Sequence, residues 1–119
     1  MLDVIKHFLE RDGLLEVQTF VSPMHAISFL QAYHHVDFIL SDYDMPGMNG
    51  ADFLYYIRSA GITIPFILYT SREYEEVDLD VFAHDAVHFM SKTGPIEAHM
   101  EQLIRIIKIY NHQGKGVIS

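Results

Sequence analysis

The sequence contains no cysteine and few basic residues. Without cysteine, the chain has no disulfide framework, no thiolate zinc site and no cysteine nucleophile. Eight lysines and arginines stand against 16 aspartates and glutamates, which gives a formal net charge of −8 at pH 7. So negative a surface repels phosphate backbones and anionic lipid, and nucleic-acid or membrane partners are therefore not expected. Apolar runs are short and Asp3 interrupts the start, so neither a membrane span nor a signal peptide is predicted. These absences favour a cytoplasmic domain.

The 119 residues, half of them hydrophobic, suit a single domain with its own core. Segments with a helical spacing of apolar residues alternate with short apolar runs, in the order αβαβαβαβα. Strands are predicted at 15–21, 37–41, 66–70 and 87–91. Because strands that alternate with helices form a parallel sheet covered on both faces, the fold class is α/β. The domain is predicted to span residues 1–111, and residues 112–119 are predicted to be a flexible tail.

Three polar side chains stand at the carboxyl ends of predicted strands: Asp42, Thr70 and Lys92. Sites in parallel sheets form outside these ends, so the three are expected to share one rim. A carboxylate is a nucleophile toward a phosphoryl group, while a hydroxyl and an ammonium bind the oxygens of the resulting acyl phosphate. A divalent cation is needed to offset the negative charge of a phosphorylated carboxylate, and Mg²⁺ is the natural candidate because it prefers oxygen ligands.

Residues 42–50, Asp-Tyr-Asp-Met-Pro-Gly-Met-Asn-Gly, resemble a loop of the receiver domains of two-component response regulators. The resemblance extends in register over nearly the whole chain, and the downstream Thr70 and Lys92 make it specific. It implies a flavodoxin-like, CheY-like three-layer sandwich with strand order 2-1-3-4-5. It also implies a phosphorelay function, in which a sensor histidine kinase or a histidine phosphotransfer protein gives a phosphoryl group to the domain and switches a partner-binding surface.

The resemblance implies a role for each of several residues in this sequence. Asp42 is implied to be the phosphoacceptor and a Mg²⁺ ligand, and the main-chain carbonyl of Asp44 a second ligand. Thr70 is implied to follow the phosphoryl group, and Lys92 to pair with one of its oxygens. Phe89, which precedes Lys92 on the last predicted strand, stands where the family has an aromatic switch residue that turns inward when Thr70 moves.

The family's first strand, with an acidic pair at its carboxyl end, has no counterpart, because the sequence begins inside the first helix. Asp3 falls within that helix and does not replace the pair. Either residue 1 is a truncated start and a longer chain has the acids, which is the explanation favoured here, or the strand is absent. In the second case Mg²⁺ keeps only Asp42 and one carbonyl and is expected to bind weakly. The missing strand is central, and each buried backbone group left unpaired costs about 1–3 kcal/mol. Three compensations are open: strand exchange with a neighbouring copy, direct pairing of 15–21 with 37–41, and insertion of the tail at 116–119.

Two further positions depart from the family pattern. Thr93 follows Lys92 where the family usually has a proline with a cis bond, so the approach of Lys92 is expected to be less rigid. Asp85 stands where a glycine commonly closes the preceding helix. The last predicted helix has a wide apolar face, with Ile109 outside its main stripe, and this face is a candidate surface for a homodimer or a partner.

Two other functions are open from the sequence. A receiver-like interaction module without phosphorylation is consistent with the missing acidic pair. Residues 38–44 also resemble the start of a haloacid-dehalogenase-type phosphatase, which uses Asp-x-Asp with a downstream Thr or Ser and Lys. No late acidic pair follows Lys92 and no cap segment is evident, so the chain is not expected to be an enzyme.

Overall fold

A computed structural model describes residues 2–11, 13, 15–33, 35–71, 87–110 and 114–119. Its elements are α1 (Leu2–Glu10), β1 (Leu15–Thr19), α2 (Pro23–Ala32), β2 (Phe38–Ser41), α3 (Gly50–Ser59), β3 (Phe66–Thr70), β4 (Val87–Ser91), α4 (Ile96–Tyr110) and β5 (Gly114–Ile118). The strands predicted from the sequence correspond to β1 through β4. The helix expected between the predicted strands at 66–70 and 87–91 falls within residues 72–86, which lie outside the described residues, as does Asp85. Among the helices in the described ranges, none is both long and apolar enough to cross a membrane.

The strands form one parallel sheet in the order β1-β5-β2-β3-β4. β5 pairs with β1 on one side, where Val17 lies opposite Gly116, and with β2 on the other, where Ile39 lies opposite Val117. This order is that of the 2-1-3-4-5 sheet when β5 is counted in the place of the first strand. The structure therefore confirms the flavodoxin-like α/β fold expected from the sequence.

The prediction of a flexible tail at 112–119 is wrong, because residues 114–118 form a central strand. The physical reason is burial: Val117 and Ile118 are almost wholly inaccessible and belong to the cores on opposite faces of the sheet. Of the three compensations that the sequence left open, the structure has the insertion of the tail, since β1 and β2 each pair with β5. The domain therefore continues through β5 and does not end at residue 111.

Gly116 allows β5 to lie against β2. A Cβ at this position would fall 2.1 Å from Cζ of Phe38, because the ring of Phe38 lies across the glycine. Phe38 is itself almost fully buried, so its ring has little room to move aside. A larger residue at position 116 therefore requires the core around Phe38 to shift.

Helices cover both faces of the sheet. On one face, α2 and α3 bury Ile27 and Ile57 in a core that includes Leu68 of β3. On the other face, α1 and α4 bury Leu9 and Leu103 in a second core. The sheet with one helical layer on each face is the three-layer sandwich that the sequence predicted.

The turn that leads from β2 into α3 is tightly closed. The side chain of Asn49 accepts a hydrogen bond from the backbone N–H of Asp52 at 2.8 Å, and the side chain of Asp52 accepts one from the N–H of Asn49, which forms a capping box. The N–H of Gly50 donates to the carbonyl oxygen of Tyr43 at 2.6 Å. A Cβ on Gly50 would lie 2.8 Å from the carbonyl oxygen of Asp42, so a glycine is needed for this close approach.

Candidate functional site

Asp42 follows directly after β2, and the end of β5 fixes its backbone. The N–H of Asp42 donates to the carbonyl oxygen of Ser119 at 3.0 Å, and the N–H of Ser119 donates to the carbonyl oxygen of Leu40 at 2.9 Å. The pairing between β2 and β5 thus continues to Asp42. Its carboxylate lies at the carboxyl edge of the sheet, where parallel sheets form their sites.

Lys92 follows β4, and its ammonium contacts the carboxylate of Asp42. The distance from Nζ to Oδ2 is 2.6 Å, which is short even for a charge-assisted hydrogen bond. The side chains of Lys92 and Asp42 are 21% and 34% exposed, so water screens their attraction less than it screens a fully exposed pair. Because β3 lies between β2 and β4, the pair spans the end of β3.

Thr70 is the last residue of β3, the strand that the ion pair spans. Thr70 is fully buried, and its carbonyl oxygen accepts a hydrogen bond from the backbone N–H of Lys92 at 2.9 Å. The structure therefore brings Asp42 and Lys92 into direct contact and places Thr70 next to Lys92 at the same edge of the sheet.

Asp44 contacts the site through its backbone. Its N–H donates to Oδ1 of Asp42 at 3.2 Å, while the residue as a whole is exposed. Both carboxylate oxygens of Asp42 are thus engaged, one by the ammonium of Lys92 and the other by this amide. A carboxylate held by two donors has a fixed orientation at the rim of the sheet.

Phe89, the predicted switch residue, lies in the middle of β4 opposite Leu68 of β3. It is half-buried and packs against the core on the face covered by α2 and α3. The structure therefore places Phe89 on the strand that leads to Lys92, within the sheet and away from the rim.

Two residues that the sequence did not single out lie beside the ion pair. The ring centroid of Tyr69, in β3, is 5.1 Å from Nζ of Lys92, which is a cation–π distance. The hydroxyl of Tyr69 forms a hydrogen bond of 2.8 Å with Nδ1 of His99 in α4. Burial raises the pKa of Tyr69, and the negative charge of Asp42 adds to the rise. The helical spacing places His99 on the buried side of α4, one turn before Leu103, but it does not indicate a contact with the site.

The described residues around Asp42 do not supply the donors of the metal site that the resemblance implies. β5, in the place of the family's first strand, leads into Ile118 and Ser119 instead of an acidic pair. Within the described ranges, no three acidic or histidine side chains are grouped so as to hold a metal ion. The Asp42 carboxylate and the carbonyl of Asp44 are too few oxygen ligands for Mg²⁺. Both oxygens of Asp42 also already accept hydrogen bonds.

A small cavity lies beside the ion pair, between the sheet and α1. Its lining includes Ile5, Asp42, Tyr69, Lys92 and Ser119, and its volume is about 30 Å³. A cavity of this size holds one or two water molecules. An organic substrate therefore does not fit inside this cavity.

The family model for the response regulator receiver domain matches residues 1–107. Among solved structures, the chain is similar to a two-component response regulator from Clostridium difficile, with a TM-score of 0.75 and 18% identity over 92% of this chain and 88% of that one. It is also similar to the response regulator protein TrrA from Thermotoga maritima in complex with Mg²⁺-BeF, with a TM-score of 0.70 and 22% identity over 87% of each chain. The chain belongs to the receiver-domain family of response regulators, which is a family of signalling modules.

Among curated proteins, the chain is similar to the glycerol metabolism activator of Pseudomonas putida, with 33% identity over 70 residues. The matched segment is 59% of this chain and 32% of the relative, so the chain spans about a third of that protein's length.

Proposed function

We propose that this domain is a phosphorylation-dependent switch, in which Asp42 accepts a phosphoryl group from a phosphohistidine of a sensor kinase or a phosphotransfer protein. The observation that carries the proposal is the contact of 2.6 Å between the Asp42 carboxylate and the Lys92 ammonium. The two residues come from different strands and meet at the edge of the sheet where such sites form. A nucleophilic carboxylate beside a fixed cation is the pair that phosphoryl transfer to aspartate requires.

The proposed reaction transfers the phosphoryl group without loss of atoms. A carboxylate oxygen of Asp42 attacks phosphorus, the P–N bond to the donor imidazole breaks, and its electron pair stays on the imidazole nitrogen. The product is an aspartyl phosphate on Asp42 and a free histidine on the donor. Lys92 offsets the negative charge of the phosphoryl oxygens, and the N–H of Asp44 is a second donor within reach of the reacting carboxylate.

The proposed switch follows from where Thr70 and Phe89 lie. Thr70 is buried at the end of β3, so its hydroxyl must become accessible before it can donate to a phosphoryl oxygen. Phe89 is packed, half-buried, on the neighbouring strand. A movement of Thr70 would change the space beside β4, and Phe89 would respond by turning inward. The negative charge of the phosphoryl group on Asp42 would thereby shift the equilibrium between two arrangements of the surface near β4.

The proposal is tested by incubating the purified chain with acetyl phosphate and measuring its intact mass, with and without Mg²⁺. We expect one phosphate adduct in the wild type and none in Asp42→Asn. Asp52→Asn is the matched control, because Asp52 is exposed in α3, its side chain accepts a hydrogen bond from the backbone N–H of Asn49, and asparagine keeps that acceptor, so the variant should keep the adduct. An adduct that persists in Asp42→Asn, or a wild type that never takes up phosphate, contradicts the proposal.

A second candidate function is a receiver-like interaction module that works without phosphorylation. The observation in its favour is the incomplete donor set, since β5 brings Ser119 to the place of the family's acidic pair. The two functions give different results in the same experiment. A module of this second kind would show no adduct at any Mg²⁺ concentration while remaining folded, as judged by the cooperativity of urea unfolding.

A further inference from the structure

A buried tyrosine–histidine pair lies on the α1 and α4 side of the sheet, beside Lys92. Tyr69 is 3% exposed and His99 is 6% exposed. The hydroxyl of Tyr69 and Nδ1 of His99 are 2.8 Å apart, and the two rings meet edge to face. Within the described residues, no buried side-chain polar atom lacks a hydrogen-bond partner.

The partners of His99 determine which way the hydrogen bonds run. Nε2 of His99 contacts the carbonyl oxygen of Thr93, which can only accept, so Nε2 carries a proton. In the neutral ring, Nδ1 is then the acceptor, and the Tyr69 hydroxyl donates to it. The raised pKa of Tyr69, caused first by burial and then by the charge of Asp42, keeps this hydroxyl protonated. The chain of hydrogen bonds therefore runs from Tyr69 through His99 to the backbone at Thr93.

This chain of hydrogen bonds holds Lys92 from two sides. The ring of Tyr69 lies 5.1 Å from Nζ of Lys92, so it contacts the charged end of the side chain. His99 holds Thr93, the next residue, so it restrains the backbone from which the side chain leaves. No cis peptide bond occurs in the described ranges, so the bond between Lys92 and Thr93 is trans. The contacts of Tyr69 and His99 thus restrain a lysine that no proline follows.

We propose that Tyr69 and His99 are positioning residues, which together orient the Lys92 ammonium toward Asp42. Tyr69 supplies the apolar and quadrupolar surface on which the ammonium rests, and His99 fixes both the tilt of that ring and the backbone of Thr93. The role of this arrangement in phosphoryl transfer rests on the proposed function, whereas the orientation of Lys92 does not depend on it. The two claims can therefore be tested separately.

The first measurement follows Lys92 itself by NMR in the unphosphorylated protein. In the wild type, we expect the ε-methylene signals of Lys92 to be shifted upfield by the Tyr69 ring. Tyr69→Leu removes the ring and should return these signals to the values of an unrestrained lysine. His99→Leu should move them part of the way, and His99→Gln should keep most of the shift, because a glutamine amide can still donate to the Thr93 carbonyl.

The matched control is Tyr33→Phe. Tyr33 also has a lysine ammonium near its ring, since Nζ of Lys115 lies 5.4 Å from the ring centroid and 2.9 Å from the Tyr33 hydroxyl. Lys115 lies at the start of β5, at the opposite edge of the sheet from Asp42. Tyr33→Phe should leave the Lys92 signals unchanged. Tyr69→Phe keeps the ring and nearly all of the side-chain volume but loses the hydrogen bond to His99. It should therefore move the Lys92 signals part of the way toward the unrestrained values, and it serves as the test if Tyr69→Leu does not fold.

The second measurement is the rate of phosphate uptake from acetyl phosphate. Tyr69→Leu should slow it by roughly twofold to thirtyfold, the range equivalent to one cation–π contact. If the ε-methylene signals of Lys92 keep their wild-type chemical shifts in both Tyr69→Leu and Tyr69→Phe, the proposal is overturned, whatever the rate of phosphate uptake. If the signals move as expected but the wild type takes up no phosphate, the positioning of Lys92 is supported and the proposed function alone fails.

Discussion

The backbone N–H of Asp42 donates a hydrogen bond of 3.0 Å to the carbonyl oxygen of Ser119, so the residue that follows β5 holds the candidate phosphoacceptor. The contact extends the pairing of β2 with β5, whose buried residues anchor both strands. The position of Asp42 and the stability of the sheet therefore depend on the same strand. Changes in β5 are expected to affect both.

Ile118→Ala tests the contribution of β5 to stability. Ile118 is 1% exposed, and its truncation should lower the free energy of unfolding by about 2–5 kcal/mol. Ile109→Ala is the matched control, because Ile109 in α4 is 73% exposed and its truncation should change stability by roughly 0.5 kcal/mol or less. The measurement is urea unfolding followed by circular dichroism. Equal effects of the two changes would show that residues 114–118 are not a buried strand.

Gly116→Val tests the close approach between β5 and β2. The new side chain would meet the ring of Phe38, and overpacking of this kind costs about 1–3 kcal/mol. Phe38→Leu removes that ring, so the cost of Gly116→Val should be smaller when both changes are combined. Urea unfolding of the two single variants and the double variant forms a double-mutant cycle. Strict additivity would mean that Phe38 does not lie across Gly116.

Lys92→Met tests the ammonium that contacts Asp42. Methionine keeps most of the apolar length of the side chain and removes the charge, so phosphate uptake from acetyl phosphate should slow by roughly a hundredfold. Lys115→Met is the control, since Lys115 lies at the other edge of the sheet and should not affect the rate. The rate is followed by intact mass over time. Similar rates for wild type and Lys92→Met would remove Lys92 from the reaction.

The raised pKa of Tyr69 predicts a loss of stability at alkaline pH. In the unfolded chain this tyrosine ionises near its ordinary pKa of 10.0, whereas in the folded chain burial and the charge of Asp42 hold the proton to higher pH. Its contribution is fully present below pH 10.0 and is lost as the pH rises through the folded pKa. Urea unfolding at increasing pH should therefore show a steeper decline for the wild type than for Tyr69→Phe.

Tyr55→Phe is the control for this pH series, because Tyr55 in α3 is 68% exposed. It removes a tyrosine without changing the buried hydroxyl, so its stability should fall with pH as steeply as that of the wild type. Parallel curves for wild type and Tyr69→Phe would contradict the folded pKa that burial implies.

The sequence predicted the strands whose own residues are apolar and whose ends are marked by breakers. Phe66–Thr70 is such a run, and the structure has a strand with these bounds. Gly114–Ile118 is different, because two glycines and a lysine give it little strand propensity of its own. What makes it a strand is the open central place between β1 and β2, which is a property of the assembled sheet. Local pattern could not distinguish it from a tail.

The residues of the candidate site divide in the same way as the strands, since some could be predicted from the sequence and others could not. Asp42, Thr70 and Lys92 could be found because strand ends of a parallel sheet lie at one edge, and spacing along the sequence shows where strands end. Tyr69 and His99 could not, because an aromatic residue in a strand and a histidine on a helical stripe are usually parts of a core. The contact of Tyr69 with Lys92 and the hydrogen bond from Tyr69 to His99 depend on the packing of α4 on β3, which periodicity does not specify.

The central place of β5 also has a kinetic consequence. Leu15 lies opposite Gly114, so this part of the sheet closes only when two segments that are far apart in the sequence meet. Contacts of such long sequence separation slow folding far more than they lower stability. Until β5 docks, β1 and β2 present open edges that a β5 segment from a second molecule can occupy. The yield of refolded monomer is therefore expected to fall as the protein concentration during refolding rises.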